Sequence, residues 1–284
     1  MSLLFTDYES AGSGLAKNAP KKKPFFRFWE MYFERFWKMI KLSLLTTLFS
    51  LPIITVGPAI AGMTKVLRKY TLDKDTFMFH DFIEGFSKDL LKTIPTGILD
   101  IIMTLSLYSA LQVYPAFAEA AKEAGGSGTL YYILCVISVG FALTVLMMNF
   151  FIYPMIVATE LSYINIIKNS FKLVVISLKT NIITLLIILL TAAIVVVSAV
   201  ISPFTLVMVP VFLVSFLGFV IMFNSYPQIQ KYVIDPYYAE KGEDNPEYDY
   251  LKPLDADDVV FTDKGGEEKP IEKKKKAKKG KVIS

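Results

Sequence analysis

The stretch SLPIITVGPAIAGMTK, residues 50–65, decides how this chain is to be folded. It is apolar enough for a bilayer, yet it carries Pro52, Gly57, Pro58 and Gly62, which break or loosen helices. Membranes tolerate such residues where neighbouring helices or local adjustments satisfy the freed backbone groups. The pattern predicts a kink or a short unwound link around Thr55 and Pro58, because Pro58 disfavours helical geometry at Gly57. Pro52 frees a carbonyl about one turn earlier. Gly62 then permits close helix packing.

The flanking sequence sets the frame. The chain has 284 residues, 54% of them hydrophobic, against about 45–50% in ordinary soluble domains. Its mean hydropathy is +0.47. The excess lies in long uncharged runs. Lys41 and Lys65 bracket 23 uncharged residues, Glu123 and Glu160 bracket 36, and Lys179 and Lys231 bracket 51. Roughly 20 apolar residues cross a bilayer core. The first two runs can each cross once and the third twice. Residues 93–114 make another span, interrupted only by Asp100. The expected fold is all-α: a polytopic transmembrane bundle of about five spans, the first kinked or re-entrant.

Two amphipathic segments accompany the spans. FFRFWEMYFERFWKMIK, from Phe25, spaces its charges mostly three to four apart, with aromatics at the other positions. That is the pattern of an interfacial helix. Tyr163 to Lys179 reads as a second one. Residues 1–24 read as a flexible basic arm, 25–234 as the transmembrane helical domain and 235–284 as a disordered tail, acidic and then polybasic. Between Asp235 and Glu272 there are 13 acidic residues and four lysines. Lys273, Lys274, Lys275, Lys276, Lys278, Lys279 and Lys281 follow. Such a lysine run favours anionic headgroups. Nucleic acid is a lesser expectation, and pairing with the acidic part of the tail competes with both.

The side of the N-terminus is contested. Lysine and arginine favour cytoplasmic loops, which puts the connections at 66–92 and 160–179 and the C-terminus in the cytoplasm. The basic arm then argues for re-entry of residues 42–64. A candidate internal repeat argues for crossing instead. An apolar segment reaching Pro58, an amphipathic stretch and a span recur as an apolar segment reaching Pro154, an amphipathic stretch and a span, with Phe86 opposite Phe171 and Gly85 opposite Ser170. The balance leans towards the repeat.

LPIITVGPA (Leu51, Pro52, Ile53, Thr55, Gly57, Pro58 and Ala59) followed by Asp81, Phe82 and Phe86 resembles the signature of the YesL-like family of bacterial integral membrane proteins, a domain family of unknown function. The resemblance runs from Phe25 to Asp235 and leaves the tail outside. It implies a multi-pass membrane protein, often associated with carbohydrate uptake systems, and carries no catalytic residues to transfer.

The candidate chemistry is sparse. Asp100 is an intramembrane carboxylate, which by default marks a site for a proton, a cation or a polar substrate. Asn149, mid-depth in the third span, is its expected partner. The competing reading is a structural hydrogen bond between helices. His80, near Asp73, Asp81 and Glu84, offers a weak metal reading; a loop histidine is favoured, and neither metal nor cofactor is expected. Cys135 is the only cysteine and reads as a packing residue. Gly140, Ala142, Ser215 and Gly218 read as close-approach positions. With no phosphate loop, zinc spacing or nucleophile–histidine pair, the chain is expected to be non-enzymatic: an accessory or regulatory membrane protein, with a sugar-uptake system as the candidate partner. A small-solute transporter or channel built on Asp100 is the alternative.

Overall fold

The computed structural model describes residues 23–243 and 245–251. These residues form helices joined by short links, with no strand among them. The all-α expectation holds.

The aromatic N-terminal segment is helical and is interrupted once, at Arg35. It forms α1 (Pro24–Glu34) and α2 (Phe36–Phe49). Two aromatic faces result. Phe28 and Tyr32 pack on Phe216 and Phe219 further along the chain, with ring centroids 5.0–6.2 Å apart. Phe25, Phe26, Phe33 and Trp37 point outward. α2 has 14 residues. At about 1.5 Å per residue it falls short of the roughly 30 Å hydrocarbon core.

The chain then breaks at residues 50–55, one turn earlier than the sequence predicts. A 3-10 turn (Ile53–Thr55) leads into α3 (Val56–Thr71). Pro52 stands in the break, in extended geometry with ψ 122°. Pro58 lies in the first turn of α3, where a missing N–H removes no intrahelical bond. The carbonyls left open at the break are capped locally. Leu51 N–H donates to the Leu48 carbonyl, and the Thr55 hydroxyl reaches the carbonyls of Phe49 and Pro52, both at 2.7 Å. Thr55 thus closes the break, while Gly57 and Pro58 belong to the helix after it.

α3 is the hub. Ten of its 16 residues are buried. It continues through Arg68 and Lys69, in a segment the sequence reads as a basic connection. Asp73, at φ +51°, turns the chain after it in the left-handed region that aspartate tolerates. α4 (Met78–Lys88) folds back on α3, and α5 (Leu90–Glu123) follows. Both contacts are made through glycines. A β-carbon on Gly57 would lie 2.0 Å from the Thr93 carbonyl oxygen, and one on Gly97 would lie 2.5 Å from the Gly57 nitrogen. On the other side, a β-carbon on Gly62 would lie 2.7 Å from the Phe82 carbonyl oxygen.

α6 (Thr129–Ala158), α7 (Tyr163–Ile176) and α8 (Leu178–Ile201) come next. A 3-10 turn (Pro203–Val207) and a π turn (Val209–Leu213) open α9 (Val214–Ile229). A second π turn (Gln230–Ile234) carries it into α10 (Asp235–Lys241), capped by Gly242 at φ 70°. Helix therefore continues past residue 234, where the sequence reading ends the membrane domain. Pro236 stands at the start of α10, where a proline is tolerated. Residues 245–251 form a separate unit, a 3-10 turn (Pro246–Leu251) in which the Asn245 Oδ1 accepts the Glu247 N–H.

Four helical runs among the described residues are long and apolar enough to cross a membrane: Leu90–Glu123, Thr129–Ala158, Leu178–Ile201 and Pro203–Lys241. The broken α2–α3 segment supplies the irregular fifth element. The buried apolar core draws on α1 to α4, the end of α6, α7 and α9, and on no residue of α5. α5 and α8 instead turn Leu99, Ile102 and Leu105, and Val196, Val197 and Val200, outward. That is the expected face towards lipid or another membrane chain.

The repeat is visible in burial, in a register shifted from the one the sequence suggests. α4 meets α5 at the single residue Asp89 (φ −123°, ψ 44°), and α7 meets α8 at the single residue Ser177 (φ −104°, ψ 30°). The fourth, seventh and eighth residues after each junction are buried: Thr93, Thr96 and Gly97 in one, Asn181, Thr184 and Leu185 in the other. The fourth and seventh residues before each are buried too: Gly85 and Phe82, Leu173 and Ser170. Aligned on the junctions, Phe86 faces Val174 rather than Phe171.

Candidate ligand cavity

Asp100 lies in the third turn of α5 and is half-buried. Its two oxygens are each engaged by α6. Asn149 Nδ2 donates to Oδ1 at 2.5 Å, and the Tyr153 hydroxyl donates to Oδ2 at 2.7 Å. Asn149 and Tyr153 are one helical turn apart and share a face. The pairing of Asp100 with Asn149 is the one expected from sequence. Tyr153 adds the second donor. Its signal was present in the i, i+4 spacing from Asn149.

The cluster opens on a cavity of about 390 Å³ between α3, α5, α6 and α9. Met63, Leu107, Leu146, Phe150, Ile221 and Met222 contribute apolar wall. Among the described residues no lysine, arginine or histidine lines it. Thr64 and Thr104, also at the wall, spend their hydroxyls on the backbone carbonyls of Ile60 and Asp100. Asn149 Oδ1 is buried and has no hydrogen-bond partner. The polar end of the cavity is the Asp100 carboxylate.

Further polar groups pair between helices. Thr96 and Tyr163 share a hydrogen bond at 3.0 Å, and Asn224 donates to Thr184 at 3.0 Å. Gly218 sits against Met63 and Leu67 of α3, as its reading as a close-approach residue requires, and Ser215 is buried beside Ser43. Gly140 has nothing within 4 Å of where a β-carbon would stand, so it is not a packing position.

His80, Asp81 and Glu84 fall together on α4. Both carboxylates already have cationic partners. Lys69 Nζ lies 2.7 Å from Asp81 Oδ1, and Lys65 pairs with Glu84. Two lysines at the carboxylates leave little room for a metal ion. Asp73 joins Arg35 at 2.9 Å and Arg27 at 3.7 Å, tying α1 to the end of α3. Lys88 bonds Glu160 at 2.7 Å across the two halves of the repeat. The hydrogen bonds from Lys65 and Lys88 hold Glu84 and Glu160 below the usual carboxylate range, and Glu160 raises Lys88 above the usual lysine value. Cys135 is half-buried in α6. The seven tail lysines lie outside the described residues.

Fold and cavity define a polytopic helical membrane protein. Residues 41–111 match a family model described as "Protein of unknown function, DUF624", with which the YesL-like resemblance is consistent. The match takes in Gly57, Gly62, Gly85, Gly97 and Asp100, and leaves Asn149 and Tyr153 outside it. No curated protein and no solved structure matches the chain.

Proposed function

We propose that the chain is a non-enzymatic membrane protein acting as an accessory or regulatory component of a larger membrane assembly. The carrying observation is how its polar and apolar groups are spent. Asp100 is committed to Asn149 and Tyr153, and Thr184 to Asn224. α5 and α8 meanwhile present continuous apolar faces through Leu99, Ile102, Val196 and Val200. Such a molecule suits a fixed scaffold between lipid and partner. The link to carbohydrate uptake rests on the family resemblance alone. Photo-crosslinking residues at Val196 and Val200 in intact membranes, followed by purification in mild detergent, should recover one stoichiometric membrane partner. Recovery of lipid adducts only, in several growth conditions, removes this reading.

The cavity at Asp100 favours a second reading, a small-solute transporter or channel. Flux of solute or ions in proteoliposomes, abolished by Asp100→Asn, supports it. No flux from the native protein excludes it.

A further inference from the structure

We infer that the cavity beneath Asp100 is a binding site for an organic ammonium ion, a positively charged N–H head on an apolar body of a few carbons. An ionised carboxylate has about four acceptor positions. Asn149 and Tyr153 occupy two of them. Among the described residues no other side chain bonds the carboxylate, and Asp100 is part of the cavity lining. Among the described residues the wall holds no cation to neutralise Asp100, and an intramembrane charge without a counter-ion is costly. A ligand that supplies both the donor and the charge removes that cost.

The remaining wall decides between ligand classes. Met63, Leu107, Leu146, Phe150, Ile221 and Met222 give an apolar body somewhere to sit. A sugar would bury hydroxyls here without partners. A hard metal ion needs about six oxygens, more than Asp100 and Asn149 provide. The volume of about 390 Å³ falls at the small end of ligand pockets. The site shares Asp100 with the transport reading, but binding and flux are separate measurements. Saturable amine binding without flux keeps this inference and removes that one.

The test uses the full chain in nanodiscs of zwitterionic phosphatidylcholine, titrated calorimetrically with hexylammonium chloride, hexan-1-ol and glucose. Hexylammonium should saturate one site per chain, with hexanol at least about tenfold weaker and glucose silent. Asp100→Asn should weaken hexylammonium by at least about tenfold. Leu107→Trp, which fills the cavity and leaves the Asp100 hydrogen bonds in place, should do the same and covers the case in which the first variant does not fold. Equal binding of amine and alcohol, saturable glucose binding, no saturable amine binding, or amine binding kept in a folded Asp100→Asn or Leu107→Trp protein each overturns the inference.

Discussion

Gly57 and Gly97 meet backbone to backbone. A β-carbon on Gly57 would stand 2.0 Å from the Thr93 carbonyl oxygen and 3.0 Å from the Gly97 nitrogen. Neither atom belongs to a flexible side chain, so neither can step aside cheaply. Gly57→Ala and Gly97→Ala should each destabilise the protein by about 1–3 kcal/mol. Gly140→Ala, in open surroundings, should stay within about 0.5 kcal/mol of the native protein. Thermal unfolding in detergent, followed by circular dichroism, separates the three. Equal melting of all three proteins would mean that α3 and α5 do not touch.

Asp81 is 3% exposed at its side chain, while its partner Lys69 is 33% exposed. Lys69→Met leaves the carboxylate buried without a counter-charge. Breaking such a pair costs about 3–5 kcal/mol when both groups are buried, so the lower end applies here. Asp81→Asn should cost less, since it removes the charge itself. The order of the two variants in the same melting experiment is the readout; the reverse order refutes the assignment.

The two glutamate–lysine pairs, each with its carboxylate exposed, predict an acid-side effect of known sign. Glu84 and Glu160 have folded-state pKa values below their ordinary ones. Their contribution is present above the ordinary carboxylate range and is lost as pH falls through the lowered values. Lys88 has the opposite sign: its part is present below the ordinary lysine value and is lost as pH rises through the raised one. A Glu84→Gln, Glu160→Gln double variant should therefore show a shallower loss of melting temperature on acidification than the native protein. Both pairs are solvent-screened, so the difference should be small and should shrink with salt.

The Tyr153 hydroxyl ties α6 to Asp100. Interhelical hydrogen bonds in membranes contribute about 1 kcal/mol each. Tyr153→Phe should lower stability by about that amount. Asp100→Asn, which changes both bonds, should do no more than roughly double it. Larger losses would point to a coupled network.

α5 and α6 should place their two connections on opposite membrane faces. In a Cys135→Ser background, Gly126→Cys should react with an impermeant maleimide in intact cells, and Glu160→Cys only after lysis. Labelling of both in intact cells contradicts the arrangement.

The spans were legible because length and apolarity suffice to define them. The uncharged runs after Glu123 and after Lys179 were expected to cross, and Thr129–Ala158 and Leu178–Ile201 are found there. The α3 helix was not legible beyond Lys65, because Arg68 and Lys69 read as loop. In the structure both side chains have partners outside α3: Arg68 bonds the Tyr226 hydroxyl and Lys69 bonds Asp81 of α4. Residues 115–123, beyond the span read at 93–114, extend α5, with Pro115 tolerated inside the long helix. The break at residues 50–55 was placed one turn late because two prolines compete in the sequence. Only the capping by Thr55 tells which one interrupts the helix. At the cavity, Asp100 and Asn149 stood out as rare polar residues in apolar runs. Tyr153 did not, because a tyrosine near a membrane surface is commonplace.

The junctions at Asp89 and Ser177 put a last fact in order. Counting the same eleven positions past each leads to Asp100 in one half and to Ile188 in the other. Ile188 packs on the apolar core. The two halves thus share a chassis and differ in cargo. One position carries a carboxylate bonded to the following long helix, and the other an isoleucine packed on the core. Exchanging the two residues would move the carboxylate of Asp100 onto α8, one turn from Thr184 and from the Asn224 amide that bonds it.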